Sequence, residues 1–432
     1  MQPTPDGTGP HPAHHLEDSL EPVTLIRQSG AIMRMGRMML AAGTASYRVK
    51  EGMQAVAKAL GVTGHSEHVT LTEITATTHR GAIFRTEVSE VRIISVDADR
   101  IMRLDRLRRD LPDSTTTEDI HARLDEIERA RPKYPTWLNA CFAGAACAGF
   151  AVLNNARVWE VIAVFVAAFT GQALRRFLHR RHLNHFGTTM LAAAAASGTY
   201  LAGLALLGSV GVALNNHAAG YISTVLFLLP GFALITGALD IAKLDLSAGV
   251  SRIVFGTAMT LAAGASVWAV SLAGPLDTAE RGPEAISWLA QGSLWAVASA
   301  IGVFGFAMMF NSPWRLAATA AGIGMIANTG RMFSMDHGIR VQAATAVACV
   351  VVGVLAALFA RYGRWPVITL SVPAVLVMIP GVTAHQAVVS VNEARYADAM
   401  AGILQAVLTV LAIMVGLVIA KLLTDRDWAF ER

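Results

Sequence analysis

The 432 residues are 54% hydrophobic and only 15% charged, with a mean hydropathy of +0.47, which is a membrane-protein composition and excludes an ordinary soluble domain as a description of the whole. The isoelectric point near 9.1 arises in the hydrophobic part, so the basic excess reads as loop charge beside lipid and not as a nucleic-acid patch. All three cysteines (Cys141, Cys147, Cys349) sit in apolar runs, so they read as free buried thiols and no disulfide framework follows.

The charge is unevenly spread. Residues 1–136 hold 18 Lys+Arg and 19 Asp+Glu, whereas the remaining 296 residues hold 17 and 12. A soluble first part therefore precedes a membrane bundle, with the boundary near Pro135. Residues 1–21 are rich in Pro, Gly and His and lack an apolar segment of the signal-peptide kind, so they read as a disordered tail. His11, His14 and His15 are taken as solvated tail residues, not metal ligands.

From Val23 to Leu60 apolar residues recur at helical spacing, interrupted at Gly43 and closed by Gly61 in a capping position. Strands are predicted over Val69–Thr78, Gly81–Thr86 and Val88–Ser95 from their β-branched alternation. Helices follow over Asp97–Leu111 and Thr116–Ala130, the second capped by one of the Thr115–Thr117 hydroxyls. Residues 22–134 thus form a small cytoplasmic α+β domain. It contains Ser46, His65, Ser66, His68, His79, Asp97 and Asp99, from which a hydrolase site can be composed on paper. It has no Gly-x-Ser-x-Gly elbow, metal-spaced His pair or phosphate loop, so a regulatory or gating role is preferred.

Ten apolar runs follow, each near the roughly 20 residues that cross a hydrocarbon layer. They are Trp137–Leu153, Trp159–Phe177, Thr189–Leu207, Ala219–Leu239, Ile253–Ala273, Ile286–Phe310, Leu316–Phe333, Val341–Phe359, Val367–His385 and Met400–Leu422. With the soluble domain inside, the inner loops carry eleven basic residues against five outside, which places both termini in the cytoplasm.

The fourth and ninth runs are broken by Pro230-Gly231 and Pro380-Gly381. Proline removes a backbone donor and frees a carbonyl, here those of Leu226 and Leu376, and such a break survives in lipid only where protein or a water-filled cavity satisfies it. The halves share further landmarks: Trp137-Leu138 with Trp288-Leu289, Phe150 to Asn155 with Phe306 to Asn311, and Arg175 and Phe177 with Arg331 and Phe333, at offsets of about 150 to 157. Each half (135–275 and 286–424) has five spans, an odd number, so the second lies upside down relative to the first. The expected fold is a membrane all-α bundle of about ten transmembrane helices in two inverted five-helix repeats, preceded by the α+β domain. Interrupted helices at matching places point to a transporter site between the halves.

The run Met39-Leu-Ala-Ala-Gly-Thr-Ala-Ser-Tyr-Arg-Val49, together with Pro230-Gly231 followed by Asp240, Asp245, Gly249 and Arg252, resembles the threonine/serine exporter family over nearly the whole chain. The resemblance implies export of L-threonine and L-serine from the bacterial cytoplasm across the inner membrane, driven by protons, with no cofactor and no nucleic acid. Homo-oligomerisation is left open. One departure is that no acid follows Pro380-Gly381 until Glu393.

A zwitterionic substrate needs partners for a carboxylate and an ammonium, which half-helix ends and freed carbonyls supply. The breaks themselves (Pro230, Gly231, Pro380, Gly381, Leu226, Leu376) are the candidate binding residues, with Thr236, Asn155, Asn311, Asn328 and Gln172 as readers of the substrate hydroxyl. For each of these side chains the competing reading is an interhelical hydrogen bond. Asp240 and Asp245 are candidates for proton coupling, against a surface cluster with Lys243 and Arg252. Arg252, Arg331, His385 and Glu393 are candidate gating residues, with Arg331 expected to snorkel to the interface or to clamp a carboxylate. A membrane-anchored hydrolase and a channel or scaffold are the rival readings; an anchor needs neither a repeat nor paired breaks.

Overall fold

The computed structural model describes residues 12–91, 95–211, 218–273 and 287–430. These divide into two compact units, one made of residues up to 95 with 103–130, the other of 96–102 with 131 onward.

In the first unit, α1 (Pro12–Ala41) and α2 (Ser46–Ala59) are joined by a turn at Gly43, whose φ of 91° is a left-handed value that suits glycine. The main-chain N–H of Thr44 donates back to Met39, closing the helix end as the sequence predicts. Helix α1 begins at Pro12, so its first turns take up part of the stretch expected to be tail. Residues 1–11, with His11, lie outside the described residues, as do the side chains of His14 and His15.

Three antiparallel strands follow in the order β1 (Gly64–Val69), β2 (Glu73–Arg80) and β3 (Ile83–Glu90). Their limits differ from the alternation pattern. The run Val69–Thr78 is cut at its start, because Thr70 Oγ1 accepts from the amides of Thr72 and Glu73 and turns the chain there. Pairing of Thr75 with Val88 and Thr77 with Thr86 keeps β3 continuous where two strands were expected. Helix α3 (Ala98–Arg109) starts in the second unit and ends in the first, and α4 (Thr117–Arg129) is capped by Thr116, which accepts from Asp119 N at 3.2 Å. Ile32, Met35, Val49, Met53, Ile74, Leu104, Ile120 and Leu124 close the core of this unit.

The second unit is helical. Its elements are α5 (Thr136–Leu153), α6 (Val158–Arg180), α7 (His185–Ser209), α8 (Ala218–Ser223), a 3-10 turn (Leu226–Leu228), α9 (Gly231–Ala242) and α10 (Leu246–Ser271). After these come α11 (Trp288–Met309), α12 (Trp314–Asp336), α13 (Val341–Gly363), α14 (Val367–Leu376), α15 (Gly381–Asn392), α16 (Tyr396–Thr424) and α17 (Arg426–Ala429). Seven of the described helices are long and apolar enough to cross a membrane, and residues 220–228 with 231–242 are together apolar enough but bent by 61°, the form of a broken span or a re-entrant loop. The chain is a multi-pass membrane protein. Helix α12 is long enough to cross but carries Arg315, Arg331 and Asp336, which lower its hydropathy.

Helices α5 and α11 cross antiparallel at van der Waals distance. A Cβ on Gly149 would lie 2.7 Å from the Ala298 carbonyl oxygen and 2.9 Å from Gly302 N, and one on Gly305 would lie 2.6 Å from the Phe142 carbonyl oxygen and 2.8 Å from Ala146 N. Aligning Phe150 with Phe306 also aligns Gly149 with Gly305 and Ala146 with Gly302. The same contact is therefore made twice with the helices exchanged. Small residues are what permit such an approach in a membrane bundle, where apolar burial against lipid drives little.

Candidate functional site

Both Pro-Gly sequences adopt one geometry. Pro230 has φ −82° and ψ 50°, Pro380 has φ −77° and ψ 64°, and the following glycine N–H donates back to Leu229 at 2.9 Å or Ile379 at 2.8 Å. This is the inverse γ-turn, which proline's fixed φ favours. The carbonyls expected to be free are not: Leu226 accepts from Leu229 N and Leu376 from Ile379 N, because before each proline the chain closes a hydrogen bond over three residues in place of four.

The breaks lie together. A side chain on Gly231 would run into Leu376 Cδ2, and one on Gly381 would sit 3.0 Å from Phe150 Cε1 and 3.2 Å from Ile222 Cγ2. Each break thus packs against the other half of the unit. Leu226 to Leu228 and Leu376 to Met378 are buried, whereas Pro230 and Pro380 are half-buried.

About two to three turns beyond the first break, Thr236 and Asp240 meet Arg252 of α10. Asp240 has no exposed surface and Arg252 retains 2%; Arg252 Nε lies 3.1 Å from Asp240 Oδ2, and its Nη1 donates to Thr236 Oγ1 at 3.3 Å. The pair is buried between α9 and α10 and is not the surface cluster that sequence spacing allowed. Glycine makes room for it, since a Cβ on Gly237 would meet Arg252 Cβ and the Gly249 carbonyl oxygen at 3.0 Å. Asp245 is half-buried at the start of α10, its main-chain N–H donating to the Asp240 carbonyl at 2.9 Å.

Three of the other polar candidates, Asn328, Arg331 and Gln172, fall into two clusters. Asn328 donates to Ser299 Oγ at 2.8 Å, and Arg331 donates from Nε to Thr345 Oγ1 at 2.8 Å and from Nη1 to Asn328 Oδ1 at 3.3 Å. Arg331 is buried in this network and does not snorkel, because two neutral acceptors, Asn328 and Thr345, hold it between α12 and α13. At the opposite end of α11, Gln172 and Arg176 both donate to Asn139 Oδ1, while Asn139 Nδ2 donates to the Met309 carbonyl at 2.8 Å. Asn139 was not singled out from sequence, although an amide inside the apolar run of α5 was a legible signal.

Asn311 belongs to a separate junction. Its Nδ2 donates to Asp97 Oδ1 at 2.8 Å, its Oδ1 accepts from Lys133 N, and Ala98 N donates to the Phe310 carbonyl. Asn155 is exposed in a left-handed turn (φ 62°), as is the backbone of Asn311 (φ 63°), so the motif shared by the halves is in part a helix-ending turn. Glu393 is exposed and ion-paired with Arg395. The side chain of His385 lies outside the described residues.

Of the hydrolase candidates, Asp97 and Asp99 belong to the second unit, where Lys133 Nζ is 3.2 Å from Asp99. His65 is hydrogen-bonded to Thr78 Oγ1 and lies 3.5 Å from Glu67, and burial holds its pKa below the ordinary 6.5. Among the described residues no group of three or more His, Cys, Asp or Glu side chains is placed to hold a metal ion.

Comparison with known proteins decides the family. The threonine/serine exporter family (ThrE) matches residues 31–274, more than half of the chain, and the related "Threonine/Serine exporter, ThrE" model matches 295–423. The chain belongs to the threonine/serine exporter family. Within it, the "Probable threonine/serine exporter" of Mycobacterium tuberculosis (strain H37Rv) is 26% identical over 91% of this chain and 75% of its own length. The "Probable succinate transporter subunit YjjP" of Escherichia coli (strain K12) is 32% identical over 33% of this chain, and that of Klebsiella aerogenes 29% identical over 34%; in both cases the match spans only 54% of the relative's length. No solved structure matches the chain. Family and relatives alike are named as transporters.

Proposed function

We propose that this exporter-family chain is a secondary transporter that moves L-threonine and L-serine out of the bacterial cytoplasm in exchange for protons, by alternating access around its two Pro-Gly breaks. The observation that carries the reading is the meeting of the breaks, with Gly231 on Leu376 and Gly381 on Phe150 and Ile222. Two half-helix N-termini there offer backbone donors to a carboxylate without a fixed charge. The reciprocal glycine contact of α5 with α11 supports two halves related by inversion, and with them the ten-span count. In this reading residues 22–134 are a cytoplasmic domain, 135–275 and 286–424 are the membrane halves, and both termini face the cytoplasm across the inner membrane. Asp240 is the proton-coupling group, poised against Arg252.

The test is flux in liposomes containing the full-length protein, with labelled threonine, serine and succinate as separate arms and an imposed pH gradient. Threonine and serine are expected to move faster with the gradient, and Asp240→Asn is expected to abolish that acceleration. Gradient-dependent flux unchanged in Asp240→Asn would remove Asp240 from the mechanism. Flux of succinate alone would move the substrate assignment to dicarboxylates, the class named for the YjjP relatives.

A further inference from the structure

Two arginines stand at equivalent places in the halves, Arg175 near the end of α6 and Arg331 near the end of α12. Each follows an amide by three residues, Gln172 or Asn328, and each amide donates to the preceding helix, to Asn139 of α5 or Ser299 of α11. Each arginine also reaches toward its own break. Arg175 Nη1 donates to the Phe227 carbonyl at 3.4 Å, three residues before Pro230. Arg331 binds Thr345, one turn from Cys349, whose Sγ is 3.8 Å from Met378 Sδ, two residues before Pro380.

The two lie at opposite ends of the unit. Gln172, one turn before Arg175, is tied through Asn139 to Met309 at the end of α11, whereas Phe333, two residues after Arg331, packs on Gly292 and Trp295 at its start.

Neither arginine has a carboxylate partner among the described residues. Arg331 donates to a hydroxyl and an amide, with the Met332 sulfur beside Nη1, and Arg175 donates to one main-chain carbonyl. Arg331 is buried and Arg175 half-buried. A cation shielded from water among neutral partners keeps part of its charge unanswered, and a guanidinium with unused N–H donors is shaped for bidentate capture of a carboxylate. A second observation points the same way: Gln172 Oε1 is buried with no hydrogen-bond partner among the described residues, one turn from Arg175 on the same helix. An acceptor and a guanidinium at that spacing suit the ammonium and carboxylate of an α-amino acid.

We propose that Arg175 and Arg331 are a matched pair of carboxylate-holding residues that take the substrate carboxylate in turn, one at each end of the membrane unit. This deepens the transport reading and rests on it. The carboxylate is that of an amino acid or of a dicarboxylate, and the substrate arms separate the two.

The test uses the full-length protein with Arg175→Gln, Arg175→Lys, Arg331→Gln and Arg331→Lys. In liposomes with sided substrate addition, each Gln variant is expected to raise KM at least tenfold at one face only, Arg175→Gln at one and Arg331→Gln at the other. Each Lys variant should recover part of the loss. Independently of flux, serine should raise the melting temperature in detergent for the parent, by less for each Gln variant and not at all for Arg175→Gln/Arg331→Gln, and serinamide, which lacks the carboxylate, should raise it in none of them. KM unchanged at both faces in both Gln variants, or serinamide stabilising the parent as serine does, overturns the pairing while leaving transport standing. A parent that moves none of the three substrates overturns the transport reading itself, and the melting shifts then decide whether the arginines still bind a carboxylate. Should a Gln variant fail to fold, its Lys variant carries the KM and melting comparisons.

Discussion

At the scale of single residues the buried Asp240–Arg252 pair has two roles to be told apart, holding α9 to α10 and exchanging a proton. Breaking a buried pair from one side leaves an uncompensated charge and costs about 3–5 kcal/mol, whereas replacing both partners is often nearly neutral. Asp240→Asn alone should therefore lower the melting temperature in detergent, and Asp240→Asn/Arg252→Gln should recover most of that loss. If the pair only braces the helices, the double variant should also recover gradient-driven flux. Recovered stability with flux still insensitive to the gradient assigns the proton to Asp240. The presence of these residues beyond the first break was legible in the sequence, since acids and an arginine in an apolar run are conspicuous. Their burial was not, because spacing of twelve positions says nothing about whether a hairpin folds one onto the other. Gly237 and Gly249, which make that approach possible, read as ordinary helix glycines until the packing is seen.

At the scale of elements, the α5–α11 crossing sets a propensity gain against a packing loss. Glycine to alanine inside a helix gains about 1 kcal/mol of intrinsic propensity. At Gly149 or Gly305 the new methyl would press on opposing main chain at 2.7 or 2.6 Å, and overpacking of this kind costs about 1–3 kcal/mol. The packing term wins, because backbone cannot swing aside as a side-chain end can. Gly149→Ala and Gly305→Ala should each destabilise the protein by a similar amount, while Gly264→Ala, with nothing within 4 Å of its Cβ position, should be neutral or stabilising. Melting in detergent checks all three, and a stabilised Gly149→Ala would show that the helices do not meet there. Repetition of the Phe-containing segments was visible in the sequence as text. That the repeated glycines face each other across one crossing was not, since alignment pairs residues by equivalence and not by contact. The strand limits failed for a related reason: alternation in Val69–Thr78 is blind to the Thr70 hydroxyl that turns the chain.

At the scale of the whole molecule, the fall in charge density near Pro135 suggests that the protein can be cut there, and the contacts of the second unit argue otherwise. Residues 96–102 belong to the membrane unit although 103–130 belong to the other, so the chain passes between the two more than once. Asp97 accepts from Asn311, Ala98 donates to the Phe310 carbonyl, and Lys133 binds both Asn311 and Asp99. Removing residues 1–133 strips all of these from the corner between α11 and α12. At about 1 kcal/mol for each ordinary hydrogen bond, and more for one to a charged group, the deletion should lower the melting temperature of the membrane unit by several degrees. A variant that lacks 1–95 and replaces 103–130 with a Gly/Ser linker, but keeps 96–102 and 131–133, should melt close to the full-length protein. Asn311→Ala in the full chain should reproduce part of the deletion's effect. Equal melting of the two truncations would mean that this corner holds without its partners, and the composition boundary would then be the true border of the membrane unit.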